Sequence, residues 1–404
     1  MTLRLLLRGG GLVGKFLLFF AISSVLGLPA TATYGMAVAL SVVASKVCGL
    51  GVSIEAVRQV SAGECGLATP VTAIGASAAV ACFVAFIAFH SLPSALGLDA
   101  RSATTLLSLV ISEYVSYEVN NLVFSVRRPD LGAALAFAKT GGWALPACMG
   151  LWGGFVTSID GVLLLWLTTN IAVTAVATVV VARALRSWGR RSSLRELLID
   201  GFPFYASAVM VALSQYLDRF VLARFVSSHE MGRYVLSWST ANVVQALTYA
   251  MVSVVALPDL ARNSKAKPGL PLHERVCGNR WVARAAVTAG CLYVLVVMTT
   301  CVAQIMVPDR VRGLDVPVVS LTGVAFVMRS VQDIMFGGLI AYGYRKIALM
   351  SAAASLVMSV PTYWGLITLF GPFGAALGAV VVSMVGVVLV YLISRRRDRG
   401  SHAG

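Results

Sequence analysis

The chain has 404 residues, of which 58% are hydrophobic and only 12% charged, and it carries a formal net charge of +15. That balance excludes a soluble globular domain, in which polar and apolar residues are closer to parity. It also excludes a nucleic-acid binder, because Lys and Arg stand in short clusters between apolar runs rather than on a basic face interleaved with aromatic residues.

Apolar runs near the ~20 residues that cross a bilayer core recur along the whole chain. Each is predicted to be a helix, since a spanning segment must satisfy its own backbone hydrogen bonds. The first two predicted spans, 10–29 and 32–52, carry Lys15 and Lys46. Arg4, Arg8 and the LPATA stretch at Leu28 to Ala32 imitate a signal peptide with a small-residue cleavage site. Lys15 interrupts the apolar core of that segment and the next span follows almost at once, so an uncleaved first helix is expected. The third and fourth spans are placed at 69–90 and 103–126. In the fourth, Glu113, Ser116, Tyr117 and Asn120 fall at i, i+3, i+4 and i+7 and share one helical face, with Glu118 beside them. The fifth and sixth spans, 131–155 and 161–182, include Lys139.

A basic segment, RALRSWGRRSSLR from Arg183 to Arg195, leads into the seventh span, 201–225, where Asp218 and Arg219 sit in an otherwise apolar run. The eighth, 231–257, places Trp238, Asn242, Gln245 and Tyr249 on a second narrow stripe. The ninth and tenth are predicted at 284–307 and 317–342, with Arg329 near the middle of the tenth and Asp333 one turn later. Spans at 347–370 and 372–394 complete the series.

The polar groups inside spans have two readings. Stripes of Asn, Gln and Ser can bond across helix interfaces. Alternatively they line a hydrated cavity suited to sugars, where amides match hydroxyls and aromatic faces meet the apolar faces of pyranose rings. Arg329 and Asp333 either form an i, i+4 ion pair that neutralises itself or include a substrate-binding charge. An ionisable group at bilayer centre costs at least ~2.5 kcal/mol, which keeps both away from lipid. Lys15, Lys46, Lys139 and Arg219 lie nearer span ends, where snorkelling to the interface is an alternative. Together they offer an anionic group, a phosphate above all, a series of positive sites at different depths.

Of the 32 Lys and Arg residues, twenty-two fall in the amino terminus, the even-numbered loops and the tail, against five in the odd-numbered loops. By the positive-inside rule both termini are cytoplasmic. The predicted fold class is an all-α integral membrane protein of twelve transmembrane helices. It comprises an N-terminal six-helix lobe (1–182), a basic cytoplasmic linker (183–200), a C-terminal six-helix lobe (201–394) and a basic tail (395–404). A loose internal echo supports two parallel halves: Gly14-Lys15 with FLLFF and Tyr34 resembles Asp218-Arg219 with FVLARF and Tyr234. Parallel six-helix repeats are one transporter plan.

Catalytic signatures are lacking. The four histidines are scattered, and no HExxH, GxxxxGK[ST] or GxSxG motif occurs, so no enzyme, no catalytic residue, no metal and no cofactor is expected. The seven cysteines show no CxxC spacing.

An ordered set of motifs resembles one family. These are GK at Gly14-Lys15, GLGVSIEAVR at Gly49 to Arg58, GFP at Gly201 to Pro203, LDRFVLARF at Leu217 to Phe225, MGRY at Met231 to Tyr234 and FGPFGAALGAVV at Phe370 to Val381. They are similar to the Wzx-type polysaccharide flippases of the multidrug/oligosaccharidyl-lipid/polysaccharide (MOP) exporter superfamily. The resemblance implies two six-helix lobes around a central cavity that opens alternately to each side. It further implies an isoprenoid diphosphate-linked oligosaccharide moved from the cytoplasmic to the outer leaflet of a bacterial inner membrane. In this reading Lys15, Lys46, Arg58 and Arg219 meet the diphosphate, and Asp218 holds Arg219 while the lobe interface is closed. The partners are then that lipid-linked substrate, the bilayer and other polysaccharide assembly proteins, with no nucleic acid. A cation-coupled multidrug exporter of the same superfamily is one alternative, with Glu113 and Glu118 binding a proton or Na⁺. A membrane polysaccharide polymerase is another, although the longest loop, 258–283, is basic and predicted cytoplasmic.

Overall fold

The computed structural model describes residues 2–49, 71–72, 74–80, 82–83, 100–126, 128–185, 194–251, 256, 260, 272–307, 313–342 and 344–401. Arg58, much of the third predicted span, the middle of the basic linker and half of the 258–283 loop lie outside the described residues. The main elements are α1 (Thr2–Val25), α2 (Leu28–Cys48), α3 (Ala100–Ser125), α4 (Pro129–Phe137), a π-helical segment (Ala138–Gly142), α5 (Ala144–Trp152) and α6 (Ile159–Leu185). They continue with α7 (Leu194–Leu222), α8 (Ser228–Met251), α9 (Leu272–Val276), α10 (Arg280–Met306), α11 (Val316–Ala341) and α12 (Arg345–Ser401). No strand occurs among the described residues. Helices α1, α2 and α7 begin earlier than the apolar runs predict, because a helix continues past the hydrocarbon zone where hydropathy no longer reports it. The LPATA stretch is the first turn of α2, set off from α1 by Gly27 at φ 87°.

By packing, the chain divides into two compact units. One consists of Met1–Leu26 with Tyr34–Ala212, and the other of Gly27–Thr33 with Leu213–Gly404. In the first unit α1 packs along α4, the π-helical segment and α5, while α3 packs on α6. The α3/α6 seam is a dry core of Val119, Leu122, Val123, Leu135, Val173, Ala177 and Val181.

The π-helical turn arises from glycine. A Cβ on Gly14 would stand 2.5 Å from the Gly141 carbonyl oxygen, and one on Gly141 would collide with the Gly11 carbonyl. Gly11 and Gly14 on α1 therefore let two backbones meet, as small residues do where membrane helices pack closely. Gly141→Ala is expected to cost about 1–3 kcal/mol, the range for overpacking. The obstacle is backbone and cannot rotate away. Thermal unfolding of the purified protein in detergent measures this, and an unchanged midpoint would contradict the close approach.

In the second unit α11 is central and packs on α8, α10 and α12. The long α12 is two helices joined at Gly371, whose φ 56°, ψ −132° only glycine adopts without strain. Pro372 follows, where a new helix tolerates the missing N–H. The two halves fold back tightly: a Cβ on Gly378 would lie 2.8 Å from the Tyr363 ring. This break lies between the two predicted spans that flank residue 371.

Among the described residues, Leu28–Cys48, Ile159–Ala184, Arg280–Met306, Val316–Leu339 and Lys346–Arg396 are long and apolar enough to cross a membrane. Large apolar side chains such as Leu164, Ile171, Val287, Met298 and Ile305 face outward, whereas Lys139, Asp218, Arg219 and Arg329 are buried. Exposed apolar faces on this scale are stable against lipid and unfavourable in water. The chain is a multi-pass α-helical membrane protein.

Candidate functional site

Among the described residues, each unit buries charged and aromatic groups together. In the first, Glu113 of α3 is the hub. Its carboxylate meets the Lys139 ammonium at 3.1 Å and accepts hydrogen bonds from Asn170 Nδ2 at 2.8 Å and Trp166 Nε1 at 3.2 Å. The Lys139 ammonium also donates to the Glu113 carbonyl at 3.1 Å. Lys139 belongs to the π-helical segment, and its carbonyl accepts from Trp143 Nε1 at 3.0 Å. Trp143 stacks on Trp166 with ring centroids 5.4 Å apart, and Tyr34 meets Trp166 edge-on at 6.0 Å. Lys139 does not snorkel to an interface, because the Gly11–Gly14–Gly141 packing holds its turn against α1 and its side chain has a carboxylate to reach.

Two further lysines reach the same region from other helices. Lys15 of α1 stands 5.9 Å from the Trp166 ring centroid, within electrostatic range of Glu113 and Lys139. Lys46, at the end of α2, lies 4.0 Å over the Tyr117 ring, and Lys139 lies 5.3 Å from that ring. Glu113 and Tyr117 are one turn apart on α3, so three ammonium groups from three elements converge on one helical face. Two carboxylates accompany them: Glu113 within the cluster, and Glu118, buried next to Tyr117. Among the described residues, these three cations face two acids. Ser116 and Asn120 of the predicted α3 stripe are buried and Tyr117 is partly exposed.

In the second unit Asp218 and Arg219 of α7 are both fully buried. The Asp218 carboxylate accepts a hydrogen bond from the Tyr234 hydroxyl and, at 2.8 Å, from the backbone N–H of Arg219. The Arg219 guanidinium lies 4.1 Å over the Trp238 ring and 5.2 Å from that of Tyr216. Trp238 in turn meets Phe326 edge-on at 5.0 Å. Arg329 of α11 donates from Nε to Ser383 Oγ at 3.2 Å and from Nη2 to the Tyr363 hydroxyl at 3.4 Å. Asp333 accepts from Gln245 Nε2 at 2.8 Å. Arg329 and Asp333 thus hold different partners, drawn from α8 and α12. Of the α8 stripe, Trp238 is buried under Arg219, Gln245 is tied to Asp333, Asn242 is half-buried and Tyr249 is 49% exposed.

Sequence reasoning did not single out Trp143, Trp166, Asn170 or Tyr363, and it noted Tyr234 only within the internal echo and the MGRY motif. One signal was available: Trp166 and Asn170 stand at i, i+4 in the sixth span, a polar face like the two noted. The Tyr234–Asp218 bond joins separate helices and leaves no periodic trace.

The chain matches no family model, and no curated protein matches it by sequence. Solved structures do match it in fold. An inward-facing multidrug resistance MATE family transporter of the MOP superfamily superposes with a TM-score of 0.74 at 13% identity, covering 96% of this chain and 95% of that one. The lipid II flippase MurJ, in an inward closed conformation, superposes with a TM-score of 0.74 at 11% identity, covering 97% and 87%. An outward-facing MATE transporter of the same superfamily gives 0.68 at 15% identity, covering 98% and 94%. At these identities the likeness is one of architecture, and the chain has the fold shared by these multidrug transporters and this lipid flippase.

Proposed function

We propose that the protein is a Wzx-type flippase, carrying an isoprenoid diphosphate-linked oligosaccharide from the cytoplasmic to the outer leaflet of a bacterial inner membrane for surface polysaccharide biosynthesis. Alternating access of the two lobes is the mechanism in this reading. The observation that carries it is the convergence of Lys15, Lys46 and Lys139 on one face of α3. Cations gathered within apolar surroundings are costly unless an anion neutralises them, and Glu113 and Glu118 offset two of the three. A diphosphate supplies the remaining negative charge through charge-assisted hydrogen bonds. Lys15, Lys46 and Arg58 would meet the diphosphate first, and Arg219 and Arg329 would follow once the second unit rearranges. Trp238, Asn242, Gln245 and Tyr249 offer sugar-compatible surface.

A second reading has its own support. Glu113 and Glu118 are acids within the helical bundle, as a cation-coupled multidrug exporter needs, and the fold likeness includes such exporters. One experiment separates the two. The protein is reconstituted in liposomes with a fluorescent isoprenoid diphosphate-linked glycan, and separately with a cationic dye under a proton gradient. Flipping of the glycan lipid is expected, slowed about 10–100-fold in Lys46→Ala, the loss for one charge-assisted bond. Gradient-driven dye transport without glycan flipping, abolished in Glu113→Gln, would replace the flippase reading with the exporter.

A further inference from the structure

Helix α10, the least buried of the long apolar helices among the described residues, begins with a pair of arginines. On α10, Arg280, Arg284, Val287, Cys291, Val294, Met298, Val302 and Ile305 follow one another at steps of three or four residues and form a single stripe. Val287 is 66% exposed, Met298 58% and Ile305 78%, so the stripe faces away from the protein. From Arg284 to Ile305 it rises about 32 Å at roughly 1.5 Å per residue. That matches a hydrocarbon core of about 30 Å and puts the two arginines at headgroup level.

Both arginines are held in position. Their guanidinium carbons lie 5.5 and 4.9 Å from the ring centroid of Trp281, which is itself buried against Ala256, Leu260, Ala285 and Ile334. Asn279 caps the helix, its side chain accepting from the Trp281 N–H at 2.9 Å, and this sets the register of the whole turn. Neighbouring elements add charge of the same sign. Val282 packs into a core that joins α9 to the ends of α11 and α12, including Ile347, Ala348 and Val390. This brings Arg275, Lys346, Arg395 and Arg396 to the same end of the unit, where the described residues of these helix ends include two acids, Glu274 and Asp398. On α12, exposed Met384, Val388 and Leu392 lead to Arg395 and Arg396 in the same manner.

We propose that this surface is a binding site for an anionic phospholipid of the surrounding bilayer: its phosphate lies between Arg280 and Arg284 and its acyl chains lie along the α10 stripe. Charge complementarity selects the headgroup. A zwitterionic lipid brings a cation to the same arginines, whereas a lipid of net negative charge does not. The rigid Trp281 platform reduces the rotamer entropy lost when the guanidiniums engage the phosphate. The site is independent of what the protein transports.

The test is native mass spectrometry of the full chain in detergent, titrated with phosphatidylglycerol or phosphatidylcholine. Wild type is expected to retain phosphatidylglycerol preferentially. The preference falls about fivefold for each arginine removed in Arg280→Gln and Arg284→Gln, following the strength of one basic residue at an anionic surface. It also weakens with rising salt. Arg224→Gln, an exposed cation beyond the end of α7, leaves the preference unchanged. Equal retention of the two lipids by wild type, or an undiminished preference in the double arginine variant, overturns the proposal. The wild-type comparison decides the matter even if the double variant does not fold.

Discussion

Glu113→Ala is expected to destabilise the protein by about 3–5 kcal/mol, the range for removing one partner of a buried ion pair. The Lys139 side chain is only 5% exposed and would lose its carboxylate, while Asn170 Nδ2 and Trp166 Nε1 would lose their acceptor. Glu113→Gln is milder, because an amide oxygen still accepts from Asn170 and Trp166. The double variant Glu113→Leu with Lys139→Met removes both charges at similar volume and is expected to recover most of the lost stability. Thermal unfolding in detergent gives all three values. A Glu113→Ala midpoint equal to wild type would show that water or another acid replaces the carboxylate, and the hub assignment would fall. Transport separates the roles further: loss of glycan flipping in a stable Lys46→Ala variant, which keeps Glu113, assigns the lysine cluster to binding as well as to packing.

In the proposed flippase reading, the largest effect on transport is expected at Arg219. In the present conformation its guanidinium is fully buried and lies against Trp238, so no ligand reaches it until the helices around it part. Arg219→Ala is expected to stop translocation with the protein still inserted. Arg219→Lys retains part of the activity, because an ammonium attracts phosphate without the bidentate fork. Asp218→Ala removes the acceptor of the Tyr234 hydroxyl and leaves the arginine without its adjacent acid, and is expected to cost about 3–5 kcal/mol. The decisive protein is the double variant Asp218→Ala with Arg219→Ala. Restored stability with no translocation is the expected result. Restored stability together with restored translocation would sink the substrate role of Arg219 and leave the pair as packing alone.

Much of this was legible in the chain, because the signals concerned are local. Hydrocarbon thickness demands apolar runs of a certain length, so helices α3, α6, α8, α10 and α11 lie close to the spans predicted for them. The 3.6-residue period likewise placed Glu113 with Tyr117, and Trp238 with Gln245, on common faces. Which partner each polar group takes was not legible, since that depends on helices far apart in sequence. Arg329 and Asp333 stand at ion-pair spacing on one helix, yet Ser383 and Tyr363 hold the first and Gln245 holds the second. In an apolar interior any nearby donor or acceptor competes with an intrahelical partner, and tertiary packing alone determines which are near. The turn that carries Lys139 illustrates the same division. A lysine before two glycines reads as a span end, but the backbone of α1 meets Gly141 and turns that stretch into a π-helical bulge facing Glu113. Sequence alone thus determined the membrane setting, several of the spans and the faces that carry charge, because hydropathy and helical period act within one helix. Tertiary structure decided the pairings, because a hydrogen bond or ion pair requires two groups within about 3 Å of each other, and only the packing of separate helices supplies that distance.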